Sequence, residues 1–100
     1  MVRVKVIKEN DNYKQIKLTG HANYQDYGKD IVCAAISATY ICTVNAILRI
    51  NENDITVTQK DDISIIDVIN NTDTTKKLLD NMIICLKEIE KQYPKNIEIK

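Results

Sequence analysis

Hydrophobic and polar residues alternate at the start of the chain, in the pattern of a β-strand with one buried face. Val2, Val4 and Val6 alternate with basic residues, and a second alternation follows over Tyr13–Thr19. Residues 9–12 between the two segments are rich in Asn and Glu/Asp, which favours a turn. The first twenty residues therefore predict two strands joined as a hairpin.

A second hairpin is predicted in the middle of the chain. Ile55 and Val57 precede the polar residues 60–62, after which apolar residues continue to about Ile69. The tail NIEIK, residues 96–100, also alternates and is compatible with a short strand at the edge of the sheet.

The first helix is predicted to run from Asp30, a residue type favoured at the N-cap, to about Ile50. The preceding residues, Gly20–Lys29, show no clear period and are predicted to form a loop. Residues 31–48 carry no charge, and this length is at the lower limit for a membrane span. The amphipathic strands on either side favour a core helix of a soluble protein instead. Such a helix needs cover on more than one side, so a homodimer is expected and a membrane is not.

The second helix is predicted from an N-cap at Asn71 or Thr72 to Tyr93, and Pro94 ends it. Six of its residues follow helical spacing: Leu78, Leu79, Met82, Ile83, Leu86 and Ile89. The order ββαββα, followed by the short C-terminal segment, predicts one α+β domain over residues 1–100. We expect a two-layer sandwich, with two helices on one face of an antiparallel β-sheet.

Charge and composition exclude several classes of function. The formal net charge is zero and the pI is about 6.6, so the chain has no general attraction for nucleic acid or for an anionic membrane. The start of the chain reads as a strand and not as an export signal, so we expect a cytoplasmic protein with reduced cysteines. The scattered Cys and His residues fit no zinc spacing, and no Gly-rich phosphate loop is present. No metal and no cofactor are therefore expected.

The candidate chemistry lies in one short segment. The only histidine, His21, and both glycines, Gly20 and Gly28, shortly precede Cys33, which falls near the third position of the predicted first helix. A cysteine there has its thiolate stabilised by the helix dipole, and free backbone N–H groups beside it can bind an oxyanion. His21 is the candidate base, and Asp30 is a candidate to orient its imidazole.

Helical spacing predicts a relatively polar stripe that could form the floor of a site. The stripe consists of Asp30, Cys33, Ser37 and Tyr40. In the loop, Tyr24 and Tyr27 are candidates to line a pocket. A purely structural role, in which they hold the loop in place, is an equal alternative.

Purely structural interpretations apply to the same residues. A lone cysteine in an apolar helix is usually a small buried hydrophobic residue, and Cys42 and Cys85 are interpreted in this way. For Cys33 that interpretation stays open on composition alone. A lone histidine in a loop is usually a solvated surface residue, and the glycines are also explained by a turn and a helix entrance.

The sequence GHA, a short loop and then YGKDIVCAAISA closely resembles the signature of the bacterial ribosomal-processing cysteine proteases, the Prp family. The dense match spans Gly20–Ala38, and the rest of the chain agrees in length and in the order of its elements. A histidine and a cysteine at a fixed separation within a shared run are far more specific than either residue alone.

The resemblance implies a small cytoplasmic α+β homodimer that removes an N-terminal extension from the twenty-seventh protein of the large ribosomal subunit. Cleavage in the family follows an aromatic residue and precedes a small one. Matching the motif places the nucleophile at Cys33 and the general base at His21. Gly20, Asp30 and Ser37 match further motif positions with supporting roles. The family is described as using a Cys–His pair, so the orienting role of Asp30 is our inference.

Two departures from the family pattern are small. Ile36 stands where Val is common, and Thr39 and Tyr40 stand where the family has plainer apolar residues. Neither departure involves the expected Cys–His pair, although Tyr40 could alter the pocket or the dimer surface.

Two other classes of function use the same residues. A non-catalytic ribosome-assembly factor would bind the N-terminal peptide of the ribosomal protein without cutting it. A thiol redox sensor would use a cysteine of low pKa and would need a resolving partner. Cys42 lies about two and a half turns along the helix from Cys33, which is too far to pair readily.

Overall fold

The structure of the chain, a computed structural model, describes residues 1–20 and 27–100, with side chains for 1–20 and 31–100. Within these residues, five strands and two helices follow one another along the chain. Their bounds are β1 Val2–Glu9, β2 Asn12–Thr19, α1 Tyr27–Ile50, β3 Ile55–Lys60, β4 Ile63–Val68, α2 Asp73–Gln92 and β5 Ile97–Ile99. The α+β class, both hairpins and the short C-terminal strand are confirmed.

The strands form one sheet in the order β3-β4-β2-β1-β5. The first four strands pair antiparallel, as predicted. The last strand, β5, instead pairs parallel to β1, with Val2 opposite Ile97, so the five-stranded sheet is mixed. The polar turn between β1 and β2 has positive φ at Asn10 and Asp11, residue types that tolerate this conformation.

The core lies between the sheet and the two helices. Alternation places Val4, Ile16 and Ile66 on the inner face of the sheet, where each is at most 1% exposed. The predicted apolar positions of α2 meet this face. Leu79, Met82, Ile83 and Leu86 are buried, and Leu78 and Ile89 pack against them partly buried. Burial of these side chains is the main force holding the two layers together.

The N-terminus of α2 is anchored to the connection between α1 and β3. Thr72 is the N-cap residue, as predicted, and its hydroxyl accepts a hydrogen bond from the Thr75 backbone N–H. The buried carboxylate of Asp54 accepts hydrogen bonds from the Thr72 and Thr75 hydroxyls at 2.6 and 2.8 Å. A charged group at this depth is compatible with folding because neighbouring donors satisfy it.

The start of α1 differs from the prediction. The helix begins at Tyr27 and not at Asp30, so residues 27–29 belong to the helix and not to the loop. Asp30 is the fourth residue of the helix and is not its N-cap. Cys33 is consequently the seventh residue, in the second turn, and lies beyond the first four residues whose backbone N–H groups lack intrahelical partners.

Helix α1 is apolar on two faces, and the described part of the chain covers only one of them. Val32, Ile36 and Ile47 point into the core, whereas Ile31 and Ile41 are at least half exposed. Residues 31–50 are long and apolar enough to cross a membrane, but a core helix passes the same test, and this helix contributes to the core. The prediction that Cys42 is buried is wrong, because Cys42 lies on the uncovered face; Cys85 is half-buried.

Candidate active site

A cleft of about 150 Å³ opens where the first half of α1 crosses one end of the sheet. Three strand ends meet here. Ile63, the first residue of β4, lies opposite Thr19, the last residue of β2, and opposite Lys60, the last residue of β3. The cleft is lined from α1 by Cys33, Ile36, Ser37, Tyr40 and Ile41, and from the sheet and its turns by Val2, Leu18, Gly20, Gln59, Asp61, Asp62 and Ser64.

The polar stripe predicted on the first helix lies on this cleft. Cys33, Ser37 and Tyr40 all line it, and the thiol-bearing Cys33 is half-buried. The other two cysteines are not among the residues that line the cleft. The interpretation of Cys33 as an ordinary core residue is therefore not supported, since its side chain borders a space large enough to admit part of a peptide.

The position of Cys33 in the helix corrects two sequence-based expectations. In the second turn, the backbone N–H of Cys33 lies within the helical hydrogen-bond ladder, and the dipole effect on its side chain is weaker than at a helix end. The oxyanion hole expected from backbone N–H groups around Cys33 is thus not available at this position.

Gly20 connects β2 to the segment that carries the only histidine. Its φ is +89°, and a β-carbon at this position would lie 2.5 Å from the main-chain oxygen of Met1. Its backbone N–H donates a hydrogen bond to the carbonyl of Asp62 at 3.1 Å, in the turn between β3 and β4. Gly20 lines the cleft, so the chain leaves the sheet beside Cys33 immediately before His21. The supporting role expected for Gly20 has a physical basis in this close approach.

Several predicted site residues lie outside the described part of the structure. His21 and Tyr24 fall in residues 21–26, and the side chains of Tyr27 and Asp30 and the surroundings of Gly28 are likewise not described. Of the last three, only the backbone position is given, in the first turn of α1. The pairing of His21 with Cys33 and the orienting role of Asp30 stay predictions.

The hydroxyl of Tyr40 is unusual for a buried polar group. Tyr40 is 7% exposed, and among the described residues its hydroxyl has no hydrogen-bond partner. Burial raises the pKa of the Tyr40 phenol, and the nearby Ser64 side chain lowers it in part. Ser64, on β4, lines the cleft together with Tyr40. A buried hydroxyl left without a partner costs roughly 1–3 kcal/mol.

The wall opposite α1 was not identified from the sequence. It is formed by Gln59, Asp61 and Ser64, which the pairing of β3 with β4 and of β4 with β2 brings beside the helix. Only the strand order would have indicated this, since Ser64 is 31 positions from Cys33 in the chain. The lining residues that the structure describes include carboxylates but no Lys or Arg. Cationic support for a thiolate at Cys33 would have to come from elsewhere.

No group of three or more His, Cys, Asp or Glu side chains comes together as a metal site within the described residues.

Comparisons with known proteins point to one family. The family model described as "Cysteine protease Prp" matches residues 1–98. A protein of Staphylococcus aureus named "Ribosomal processing cysteine protease Prp" is 34% identical over 98 residues, covering 93% of this chain and 92% of its own length.

Solved structures agree with the sequence comparison. A crystal structure of the S. aureus ribosomal processing protease Prp, in complex with a covalently linked product peptide, matches with a TM-score of 0.90 and 29% identity. A second structure of that protease, with a substrate peptide, matches with a TM-score of 0.90 and 28% identity. In both cases the alignment covers 100% of this chain and 98% of the other.

Proposed function

The chain belongs to the Prp family of cysteine proteases, and we propose that it removes an N-terminal segment from a ribosomal protein, with Cys33 as the nucleophile and His21 as the general base. One observation carries the assignment. Of the three cysteines, Cys33 borders the cleft at the end of the sheet, beside the glycine that directly precedes the only histidine. The S. aureus relative, whose fold matches over the whole chain, has been crystallised with a covalently linked product peptide.

The chemistry would proceed through a thioester. The Cys33 sulfur attacks the carbonyl carbon of the scissile peptide bond as His21 accepts the thiol proton. His21 then protonates the departing amine, which leaves as the new N-terminus of the product. Water, deprotonated by His21, hydrolyses the thioester and releases the carboxylate of the removed segment. The thiol is regenerated, and no metal or cofactor is needed.

The proposed substrate is the precursor of the twenty-seventh large-subunit ribosomal protein, cut after an aromatic residue and before a small one. This follows the resemblance of the GHA and YGKDIVCAAISA motifs to the family. The electrostatics of the cleft are compatible with such a substrate, because Asp61 contributes negative charge to the lining and ribosomal proteins carry many basic residues. We place Gly20, Asp30 and Ser37 in supporting roles, and Tyr24, Tyr27 and Gly28 in peptide binding.

We propose that the active form is a homodimer formed through the uncovered face of α1. Six exposed residues repeat there at alternating intervals of three and four: Ile31, Ala34, Ala38, Ile41, Asn45 and Leu48. This spacing is that of the contact seam between two packed helices. We call these six residues the α1 seam. Ile41 also lines the cleft, so the second subunit would border the substrate site.

The proposed location is the cytoplasm, where ribosomal proteins are synthesised. The balanced charge of the chain offers no general attraction for RNA or for an anionic membrane, so the precursor protein itself is the proposed partner.

Cleavage of a synthetic peptide tests the proposal. A peptide spanning the N-terminal junction of the organism's own precursor is incubated with the protein, and the products are identified by mass spectrometry. We expect one cut after the aromatic residue with wild type. No cut is expected with Cys33→Ala or with His21→Ala.

Cys42→Ala is the matched control, since Cys42 lies on the same helix but faces away from the core and does not line the cleft. This variant should cut at the wild-type rate. Retained cleavage in Cys33→Ala would contradict the assignment of the nucleophile. Binding without cleavage by the wild-type protein would instead indicate an assembly factor.

A further inference from the structure

A pair of hydroxyl side chains, Tyr40 and Ser64, lines the cleft. Tyr40 comes from α1 and Ser64 from β4, the two layers that bound the cleft, while Leu18 and Ile36 nearby are apolar. The Tyr40 side chain is more than nine-tenths buried, and its hydroxyl is without a hydrogen-bond partner among the described residues. Such buried groups are rare in folded proteins and call for a specific explanation.

The position of the pair relates it to the proposed nucleophile. Tyr40 is seven residues after Cys33 in α1, which corresponds to about 10 Å along the helix axis. Side chains in a helix lean towards its N-terminus, so the Tyr40 ring leans back towards Cys33. An extended peptide advances about 3.3 Å per residue. A peptide with its scissile carbonyl at Cys33 would therefore pass Tyr40 within three residues of the cut.

We propose that the Tyr40 hydroxyl, assisted by Ser64, hydrogen-bonds a polar side chain of the substrate peptide and so makes Tyr40 a specificity-determining residue of this protease. The inference depends on the proposed function, because it takes Cys33 as the point at which the peptide is cut. Both hydroxyls can donate and accept, so an amide side chain such as Gln or Asn suits the pair. An apolar side chain of similar size would leave the phenol without a partner, and would be disfavoured for that reason.

Binding is measured first, in the Cys33→Ala background, so that the result does not depend on which residue cuts the peptide. Fluorescent decapeptides keep the aromatic–small junction. At each of the three positions before the aromatic residue and after the small residue, one pair of peptides compares Gln with Met and a second pair compares Asn with Leu. At one position we expect a preference of about tenfold for the amide over its apolar counterpart, the amount that one hydrogen bond contributes. Tyr40→Phe should abolish this preference, and Ser64→Ala should reduce it.

Tyr93→Phe is the matched control, since it removes a phenol hydroxyl from a half-exposed residue outside the cleft lining. It should keep the full preference. Thermal unfolding without peptide gives an independent readout. Because the Tyr40 hydroxyl has no partner among the side chains that the structure describes, Tyr40→Phe should unfold at the wild-type temperature or above it.

Three outcomes would overturn the inference: equal binding of amide and apolar peptides at every position, a preference that survives in Tyr40→Phe, or a lower unfolding temperature for Tyr40→Phe. The second would mean that another group recognises the amide, and the third that the chain itself satisfies the phenol. If Tyr40→Phe does not fold, an unchanged preference in Ser64→Ala has the same consequence. Peptides that bind selectively to Cys33→Ala but are not cut by wild type would contradict the proposed function and leave the polar subsite supported.

Discussion

Gly20 approaches Met1 so closely that a β-carbon on residue 20 would lie 2.5 Å from the Met1 main-chain oxygen. The contact joins the end of β2 to the start of β1, at the edge of the cleft. With φ at +89°, the backbone of Gly20 is also in a region that other residues rarely adopt. Sterics and conformation thus both require glycine at the residue before His21.

Gly20→Ala should lose about 1–3 kcal/mol of unfolding free energy, because the methyl group clashes with backbone and the positive φ becomes strained. Peptide cleavage should fall as well, since the chain leading to His21 shifts. Urea denaturation and the peptide assay measure the two effects.

Gly28→Ala is the control for stability. Gly28 lies in the first turn of α1, where alanine is the better helix former, so its stability should be unchanged or higher. Wild-type stability in Gly20→Ala would contradict the steric argument.

A second prediction concerns Asp54, whose buried carboxylate accepts hydrogen bonds from Thr72 and Thr75. Asp54→Ala should destabilise the protein by about 3 kcal/mol, because the buried Thr75 hydroxyl and the more exposed Thr72 hydroxyl both lose their acceptor. Asp54→Asn, which keeps one acceptor oxygen, should lose less. Urea denaturation gives both values. Glu52→Ala, two positions earlier and exposed, is the control and should change stability by less than about 0.5 kcal/mol. Equal stabilities for Asp54→Ala and Glu52→Ala would rule out the anchoring role.

The parts of the fold that sequence periodicity predicted are those in which one face is buried and the other solvated. Of the alternating residues, Val2 and Val4 are buried and Val6 packs partly buried against the core, and the helical spacing of α2 corresponds to its buried face. Helix α1 offers no such contrast, because both of its faces are apolar. This is why the exposure of Cys42 was not foreseen.

The start of α1 was misplaced because aspartate is favoured both at an N-cap and within the first helical turn. Asp30 occupies the second of these positions, and a single sequence does not distinguish them. The opposite wall of the cleft escaped prediction for another reason. Ser64 meets the helix only because β4 pairs with β2, a contact between distant parts of the chain that no local pattern encodes.

The third prediction concerns alkaline pH. Burial, a 2.5 Å hydrogen bond to Asp80 and the negative charge of that carboxylate raise the pKa of the Tyr13 phenol. In the unfolded chain the phenol titrates near its ordinary value of about 10. The protonated phenol is therefore favoured by folding. Its contribution is complete below about pH 10 and is lost as the pH rises towards the folded-state pKa.

Wild type should accordingly lose up to about 1.4 kcal/mol more stability per pH unit above pH 10 than Tyr13→Phe, which has no phenol to ionise. Urea denaturation of both proteins at pH 9, 10 and 11 measures the difference. Tyr93→Phe, which alters a half-exposed phenol, should follow the wild-type curve. Parallel curves for wild type and Tyr13→Phe would show that the Tyr13–Asp80 contact does not couple proton binding to folding.

The last prediction tests the α1 seam as the surface between two subunits. Ile41 lies in the middle of the seam and is 50% exposed in the single chain. An aspartate there would place a charge in an apolar contact, where its desolvation opposes association. We expect wild type to have a mass of two 11.5 kDa chains by light scattering, and Ile41→Asp to have the mass of one.

Ile84→Asp provides the matched control, since Ile84 is 60% exposed but lies on α2, outside the seam. This variant should remain a dimer, which shows that a new surface charge alone does not separate the subunits. Because the seam borders the cleft at Ile41, peptide cleavage by wild type should fall together with the dimer population as the protein is diluted. A wild-type mass of one chain, or a dimer that persists in Ile41→Asp, would exclude the seam as the interface.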